Sequence, residues 1–149
     1  IPAGIICQDA KQTATSFKRL QDFVAEPGIE MGSDVKGAVE ASLRNLATAK
    51  AENPAARLTL VIASDMVDEV SLSLPRRLNG SDSKSACNMA VQDAGNATND
   101  YSSVNVVIVG ARNSKINTNT LEQVQAYWTC YFNQIGISHI TEQSDLSGF

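Results

Sequence analysis

The sequence predicts an α/β fold, namely a doubly wound, Rossmann-like and mainly parallel sheet with helices on both faces, in a single domain. Two apolar runs, at residues 58–64 and 104–110, carry this prediction. Both are continuous rather than alternating and rich in β-branched residues, as is typical of strands buried on both faces of a parallel sheet. Segments with helical spacing stand around them, and this alternation indicates a layered sheet. The chain has 149 residues, 43% apolar and 19% charged, which fits one globular domain.

Three elements are predicted before the first apolar run. Residues 1–7 form an edge strand, because their proline and glycine suit an edge better than the centre of a sheet. Residues 13–25 form a short helix or a turn, which a Pro-Gly pair ends. A clearer helix covers 34–50, and either Ser33 or Asp34 serves as its N-cap.

Three further elements are predicted after residue 65. A helix covers 83–94, and a final short strand covers 137–141. A further helix is predicted between these two elements. Thr120 and Gln123 fit a capping box at its start, and Gly136 supplies its C-cap. The apolar face of this helix consists of Leu121, Val124, Trp128, Tyr131, Phe132 and Ile135. Because their spacing is helical, we expect the aromatic residues to pack in the core and not to form an interface.

Composition argues against nucleic acid and membrane as partners. The net charge is -4, and the largest basic cluster is the pair Arg76-Arg77, which is too small to neutralise a phosphate backbone. We interpret that pair as part of a solvent-exposed loop. No apolar run approaches the roughly 18 to 20 residues that a membrane span needs. The sequence therefore predicts a soluble protein with no membrane insertion within this segment.

The three cysteines predict neither a disulfide framework nor a zinc site. Cys7, Cys87 and Cys130 are few and widely separated, and Cys130 falls in a helix where a buried thiol acts as a small apolar group. Their odd number favours a reducing compartment, hence the cytoplasm. The first residues lack a basic segment and a start methionine, so they are not an intact signal peptide. We expect the chain to begin inside a longer protein.

The first apolar run ends abruptly on Ser64-Asp65. In parallel sheets ligands bind outside the carboxyl ends of the strands, so Asp65 is expected at the functional edge. A carboxylate there can hold a hard cation such as Mg²⁺, which prefers oxygen ligands. The nearby Asp68 and Glu69 are expected to face solvent.

Three segments in this order resemble the von Willebrand factor type A domain, especially its divergent bacterial members. Gly32-Ser33-Asp34-Val35 opens a helix, Ala63-Ser64-Asp65-Met66 ends a buried strand, and Val106-Val107-Ile108-Val109-Gly110-Ala111 precedes a loop and the last helix. The resemblance covers residues 32–136. It implies a doubly wound sheet and a metal-ion-dependent adhesion site for Mg²⁺ or Mn²⁺, in which Ser33 stands for the family's threonine and Asp65 for its last aspartate.

The sequence departs from this family at the first strand. The family's Asp-x-Ser-x-Ser motif is missing, and its nearest imitation, beginning at Asp9, has Lys11 where a hydroxyl ligand belongs. Either the true first strand lies upstream of Ile1, or the metal site has been lost. We favour the upstream strand, and then expect the chain alone to bind metal weakly or not at all.

The resemblance implies a protein-binding module, with an unidentified protein partner whose carboxylate completes the shell of the cation. The sequence indicates no catalytic residues, because no nucleophile with a base is visible and His139 has no partner nearby in the sequence. An enzyme is therefore the less favoured interpretation. The alternative is a nucleotide- or metal-dependent enzyme domain of another doubly wound family, with Asp65 holding the metal.

Overall fold

The structure, a computed structural model, describes residues 33–96, 100–110 and 117–143, together with Lys18. In chain order the elements are α1 (Val35–Glu52), β1 (Leu58–Ala63), the short helix α2 (Leu74–Arg77), α3 (Ser83–Ala94), β2 (Val104–Val109), α4 (Thr118–Gln134) and β3 (His139–Gln143). The strand predicted over 1–7 and, apart from Lys18, the helix or turn predicted over 13–25 lie outside the described residues.

The three strands form one parallel sheet in the order β1-β2-β3, with Leu58 opposite Val104 and Asn105 opposite His139. Right-handed crossovers between strands in this order place α3 and α4 on the same face of the sheet. The composition of the core is consistent with this arrangement. Buried residues of both helices belong to the same hydrophobic cluster as Leu60, Val106 and other side chains of that face. The predicted α/β class with a parallel sheet is confirmed.

Strand β2 is buried on both faces, as its continuous apolar sequence predicts. Val106 and Ile108 point into the main core, while Val107 and Val109 on the opposite face are only 8% and 5% exposed. Strand β1 differs from the prediction, because Thr59 is exposed and Val61 only half-buried. A threonine hydroxyl remains solvated at little cost on that face, so the apolar run alone overstated the burial of β1.

Helices α1 and α3 match the sequence closely. Asp34, not Ser33, is the N-cap of α1, and its Oδ1 accepts a hydrogen bond from the Gly37 amide at 2.8 Å. The helix ends at Glu52, two residues beyond the predicted end and just before Asn53-Pro54. Helix α3 has the predicted bounds, with Asp82 as a cap that accepts from the Ser85 amide.

The capping box predicted for α4 is wrong. The helix begins at Thr118, and its N-cap is Asn117, whose side chain accepts from the amide and the hydroxyl of Thr120. Gln123 is instead buried, and its Nε2 donates to the Ser81 carbonyl at 2.6 Å. A long-range bond to the half-buried Ser81 thus replaces the local bond that a capping box would have made.

The end of α4 follows the prediction, but the last strand is displaced. Gly136 takes φ +92°, and the amides of Gly136 and Ile137 return to the carbonyls of Asn133 and Phe132, which is a Schellman motif. Ile137 is fully buried at this turn. Strand β3 therefore begins only at residue 139 and not at residue 137.

Trp128 is a core residue, as predicted, with 1% of its surface exposed. Its ring centroid lies 5.4 Å from that of Tyr127, 5.3 Å from that of Tyr131 and 5.7 Å from that of Phe132. Centroid spacings in this range are favourable for aromatic pairs, so α4 contributes a compact aromatic group to the core.

The expectation that the cysteines form no disulfide is wrong for Cys87 and Cys130, whereas Cys7 lies outside the described residues. Cys87 of α3 and Cys130 of α4 form a disulfide, with 5.3 Å between their Cα atoms. The two helices pack side by side, which brings together cysteines that are 43 positions apart. The basis for expecting a reducing compartment is therefore removed, because stable disulfides are typical of oxidising ones. None of the helices within the described ranges is both long and apolar enough to cross a bilayer.

Candidate functional site

The carboxyl ends of the three strands meet at one edge of the sheet. The Ser64 amide donates to the Val109 carbonyl at 3.0 Å, and the Gly110 amide donates to the Gln143 carbonyl at 3.2 Å. These bonds extend the ladder to the last residue of each strand. Asp65 follows at once, so it lies at the edge where ligands bind in parallel sheets.

Asp65 belongs to a tight turn held by its own side chains. Its Oδ1 accepts from the Val67 amide at 3.1 Å, and the Ser64 hydroxyl oxygen accepts from the Met66 amide at 3.0 Å. Met66 has φ +63°, in the left-handed region that disfavours residues with a Cβ. Trp128 reaches this turn from α4, and its Nε1 donates to the Met66 carbonyl at 2.7 Å. The turn is thus fixed by long-range as well as local bonds.

Asp65 lines a small cleft between the sheet edge and α4. Glu142 lies on the same cleft, and its Oε2 accepts from Gln125 Nε2 at 2.9 Å, while Ile108 and Trp128 form part of the apolar lining. The accessible space is about that of one water molecule.

The oxygen ligands at this cleft fit Mg²⁺ or Mn²⁺ only in part. Asp65 Oδ2 makes no hydrogen bond within the described part of the chain, so it can ligate, and Glu142 offers a second carboxylate on the same cleft. No cluster of three or more His, Cys, Asp or Glu residues suited to a metal occurs among the described residues. Mg²⁺ commonly takes one or two protein carboxylates and completes its shell with water or a ligand.

Ser33, the other predicted ligand, lies beside the same loop but not on the cleft. Its carbonyl oxygen accepts from the amides of Glu69 and Val70, at 2.9 and 3.3 Å. The segment that follows Asp65 therefore returns to the start of α1. Ser33 and Asp65 thus lie at the two ends of one loop, and their side chains are not hydrogen-bonded to each other.

Asp68 is fully buried, which corrects the expectation that it faces solvent. Its Oδ2 accepts from the Lys36 amide at 2.9 Å and from the Ser71 hydroxyl at 3.0 Å, and its Oδ1 accepts from the Leu72 amide at 2.6 Å. The Lys36 amide belongs to the first turn of α1, where free N–H groups and the helix dipole favour a negative charge. The neighbouring Glu69 is exposed, as expected.

Asp34 adds a second carboxylate to this network. Its Oδ1 accepts from the Ser71 hydroxyl at 2.8 Å as well as from the Gly37 amide, and these two bonds, the amide first, lower the pKa of Asp34 below its usual value. One hydroxyl carries one proton, so Ser71 can donate to Asp34 or to Asp68 but not to both at once. The sequence contains one local signal for this network: Ser71 follows Asp68 by three residues, and its hydroxyl donates to the Asp68 carboxylate.

A second polar cluster joins α2, α3 and α4 away from the sheet edge. Both terminal nitrogens of Arg77 donate to the Asp93 carboxylate, at 2.7 and 3.3 Å, and the Tyr127 hydroxyl donates to the same carboxylate at 2.8 Å. Burial, followed by this bond to Asp93, raises the pKa of Tyr127. The expectation that Arg76 and Arg77 lie in a solvent-exposed loop is wrong, because both belong to the short helix α2; Arg76 is exposed, but Arg77 is half-buried. A bidentate pair of this kind stabilises helix packing.

His139 lies at the amino end of β3, where its side chain is exposed. Because β3 is parallel to β1, this is the sheet edge opposite to Asp65. The structure therefore separates the two residues and does not pair them as an acid and a base.

Comparisons of the chain with known protein families, with curated proteins and with solved structures find no match.

Proposed function

We propose that this chain is a protein-binding module of the von Willebrand factor type A kind, with a partial adhesion site for Mg²⁺ or Mn²⁺ at Asp65. One observation carries the proposal: the Asp65 carboxylate is held at the carboxyl edge of a parallel sheet with one oxygen bonded and the other available. A carboxylate fixed in this way offers a cation a ligand that needs little reorganisation.

The small cleft favours a partner that approaches from outside over a molecule enclosed by the protein. Since the space beside Asp65 and Glu142 holds about one water molecule, a bound cation would remain open to solvent or to a partner. A carboxylate of a protein partner would then complete the cation's shell. Ser33 lies off the cleft at the other end of the loop, so it would act on the cation only through water.

The test is a Mn²⁺ titration of the isotope-labelled chain followed by nuclear magnetic resonance, because paramagnetic broadening detects weak sites. We expect Mn²⁺ to broaden the amide signals of residues 64–67 and 142 first, and Asp65→Asn to remove this effect. Asp100→Asn is the matched control, because Asp100 also accepts from the amide two residues later but lies at the amino end of β2. It removes the same charge at the opposite edge.

The proposal is overturned if Mn²⁺ broadens no signal at residues 64–67, if the broadening centres elsewhere in the chain, or if broadening at residues 64–67 survives in Asp65→Asn. Loss of the effect in both variants would mean that general negative charge, and not the Asp65 site, attracts the ion.

A further inference from the structure

The turn after β1 contains a conformation that local sequence does not favour. Met66 has a buried side chain and φ +63°, although a residue with a Cβ rarely takes the left-handed conformation. Glycine would take it freely, but the sequence has methionine here. Surrounding contacts must therefore hold Met66 in place.

Those contacts fix both sides of one peptide group. The Met66 carbonyl accepts from Trp128 Nε1 at 2.7 Å, and the Val67 amide, which belongs to the same peptide unit, donates to Asp65 Oδ1 at 3.1 Å. The peptide unit is planar and trans, so its carbonyl and its N–H point in opposite directions and rotate together. Trp128 is thus linked to the Asp65 carboxylate through a single rigid plane.

We propose that Trp128 is a positioning residue for Asp65: its indole N–H orients the peptide between Met66 and Val67, and that peptide aims the Asp65 carboxylate at the cleft. The inference rests on the proposed cation site and names the residue that prepares it. Trp128 is 1% exposed and also forms part of the lining of the cleft, so it is rigid and adjacent to the carboxylate that it orients.

The experiment removes the indole N–H while keeping a ring. Trp128→Phe is one variant. The second replaces Trp128 biosynthetically by benzothienylalanine, in which sulfur takes the place of the N–H; this labelling is site-specific because the chain has a single tryptophan. Tyr127→Phe is the control, because it removes a buried donor from the same helix but leaves the turn intact.

Two measurements are made on each protein. We expect both Trp128 variants to weaken Mn²⁺ binding roughly threefold to tenfold, the equivalent of one hydrogen bond. We also expect faster hydrogen exchange of the Val67 amide, because the peptide unit that carries this N–H is no longer held by the indole and its bond to Asp65 Oδ1 opens more often. Tyr127→Phe should change neither quantity, although it should lower the melting temperature.

Each outcome decides between the hypotheses. Wild-type Mn²⁺ affinity in both Trp128 variants would overturn the positioning role. An effect in Trp128→Phe that is absent with benzothienylalanine would also overturn it, because ring volume would then be responsible. If wild-type protein shows no Mn²⁺ effect at Asp65, the proposed function fails, but the Val67 exchange rates still test whether Trp128 holds the turn.

Discussion

Replacing Asp68 by alanine should destabilise the protein severely. The carboxylate accepts three hydrogen bonds while fully buried, and its removal leaves the amides of Lys36 and Leu72 without acceptors. The Ser71 hydroxyl keeps a partner, because it can turn to Asp34. A buried donor without an acceptor costs about 1 to 3 kcal/mol, so the two amides together should cost about 2 to 6 kcal/mol.

Asp68→Asn should cost less, about 1 to 3 kcal/mol, because the amide oxygen can still accept from Leu72 while the NH₂ group cannot accept from Lys36. Glu69→Ala is the control; its side chain is exposed, and we expect a change within about 0.5 kcal/mol. The assay is urea unfolding monitored by circular dichroism. We expect the free energy of unfolding to be highest for the wild type, lower for Asp68→Asn and lowest for Asp68→Ala. Asp68→Ala within about 1 kcal/mol of the wild type would refute the reasoning.

Three further predictions address the rest of the core. Trp128→Ala should lower the free energy of unfolding by about 3 to 5 kcal/mol in the same urea assay, because it empties a large buried site. Replacing Cys87 and Cys130 together by serine should cost about 4 kcal/mol by the chain-entropy relation for a separation of 43 residues, measured by calorimetry against the oxidised protein. Burial raises the pKa of Tyr127 and, with the neighbouring Glu40 carboxylate, that of Tyr131, so these hydroxyls ionise more readily in the unfolded chain. The contribution of these tyrosines to the free energy of unfolding should therefore be fully present below about pH 10 and be lost as the pH rises further. The melting temperature of Tyr131→Phe should fall less steeply with pH in this range than that of the wild type.

The sequence predicted those elements whose signals are local. The bounds of α3, the parallel pairing of β1 with β2 and the glycine turn after α4 follow from apolar spacing and from single residues such as Gly136. Helical and strand periodicities depend on neighbours within a few positions, so one sequence contains them. The position of Asp65 at the sheet edge follows in the same way, because the end of a strand is a local signal.

The features that were missed depend on partners far along the chain. Asp68 bonds to an amide 32 positions earlier, Gln123 donates to a carbonyl 42 positions earlier, and the two bonded cysteines are 43 positions apart. Polar residues such as Asp68 are usually exposed, and only the packed fold brings buried donors to them. The metal role of Ser33 and Asp65 stays a prediction, because it depends on a cation and a partner.

The single tryptophan gives this protein a built-in optical probe of the turn at the sheet edge. An indole that is buried and bonded to the Met66 carbonyl should emit at shorter wavelength than one in water, and any opening of the turn should shift that emission. Tyr127 and Tyr131, with ring centroids 5.4 and 5.3 Å away, are close enough to transfer excitation to it. Intrinsic fluorescence therefore reports chiefly on the contact between α4 and the turn beside Asp65, so a local opening there would be visible while circular dichroism still recorded a folded chain.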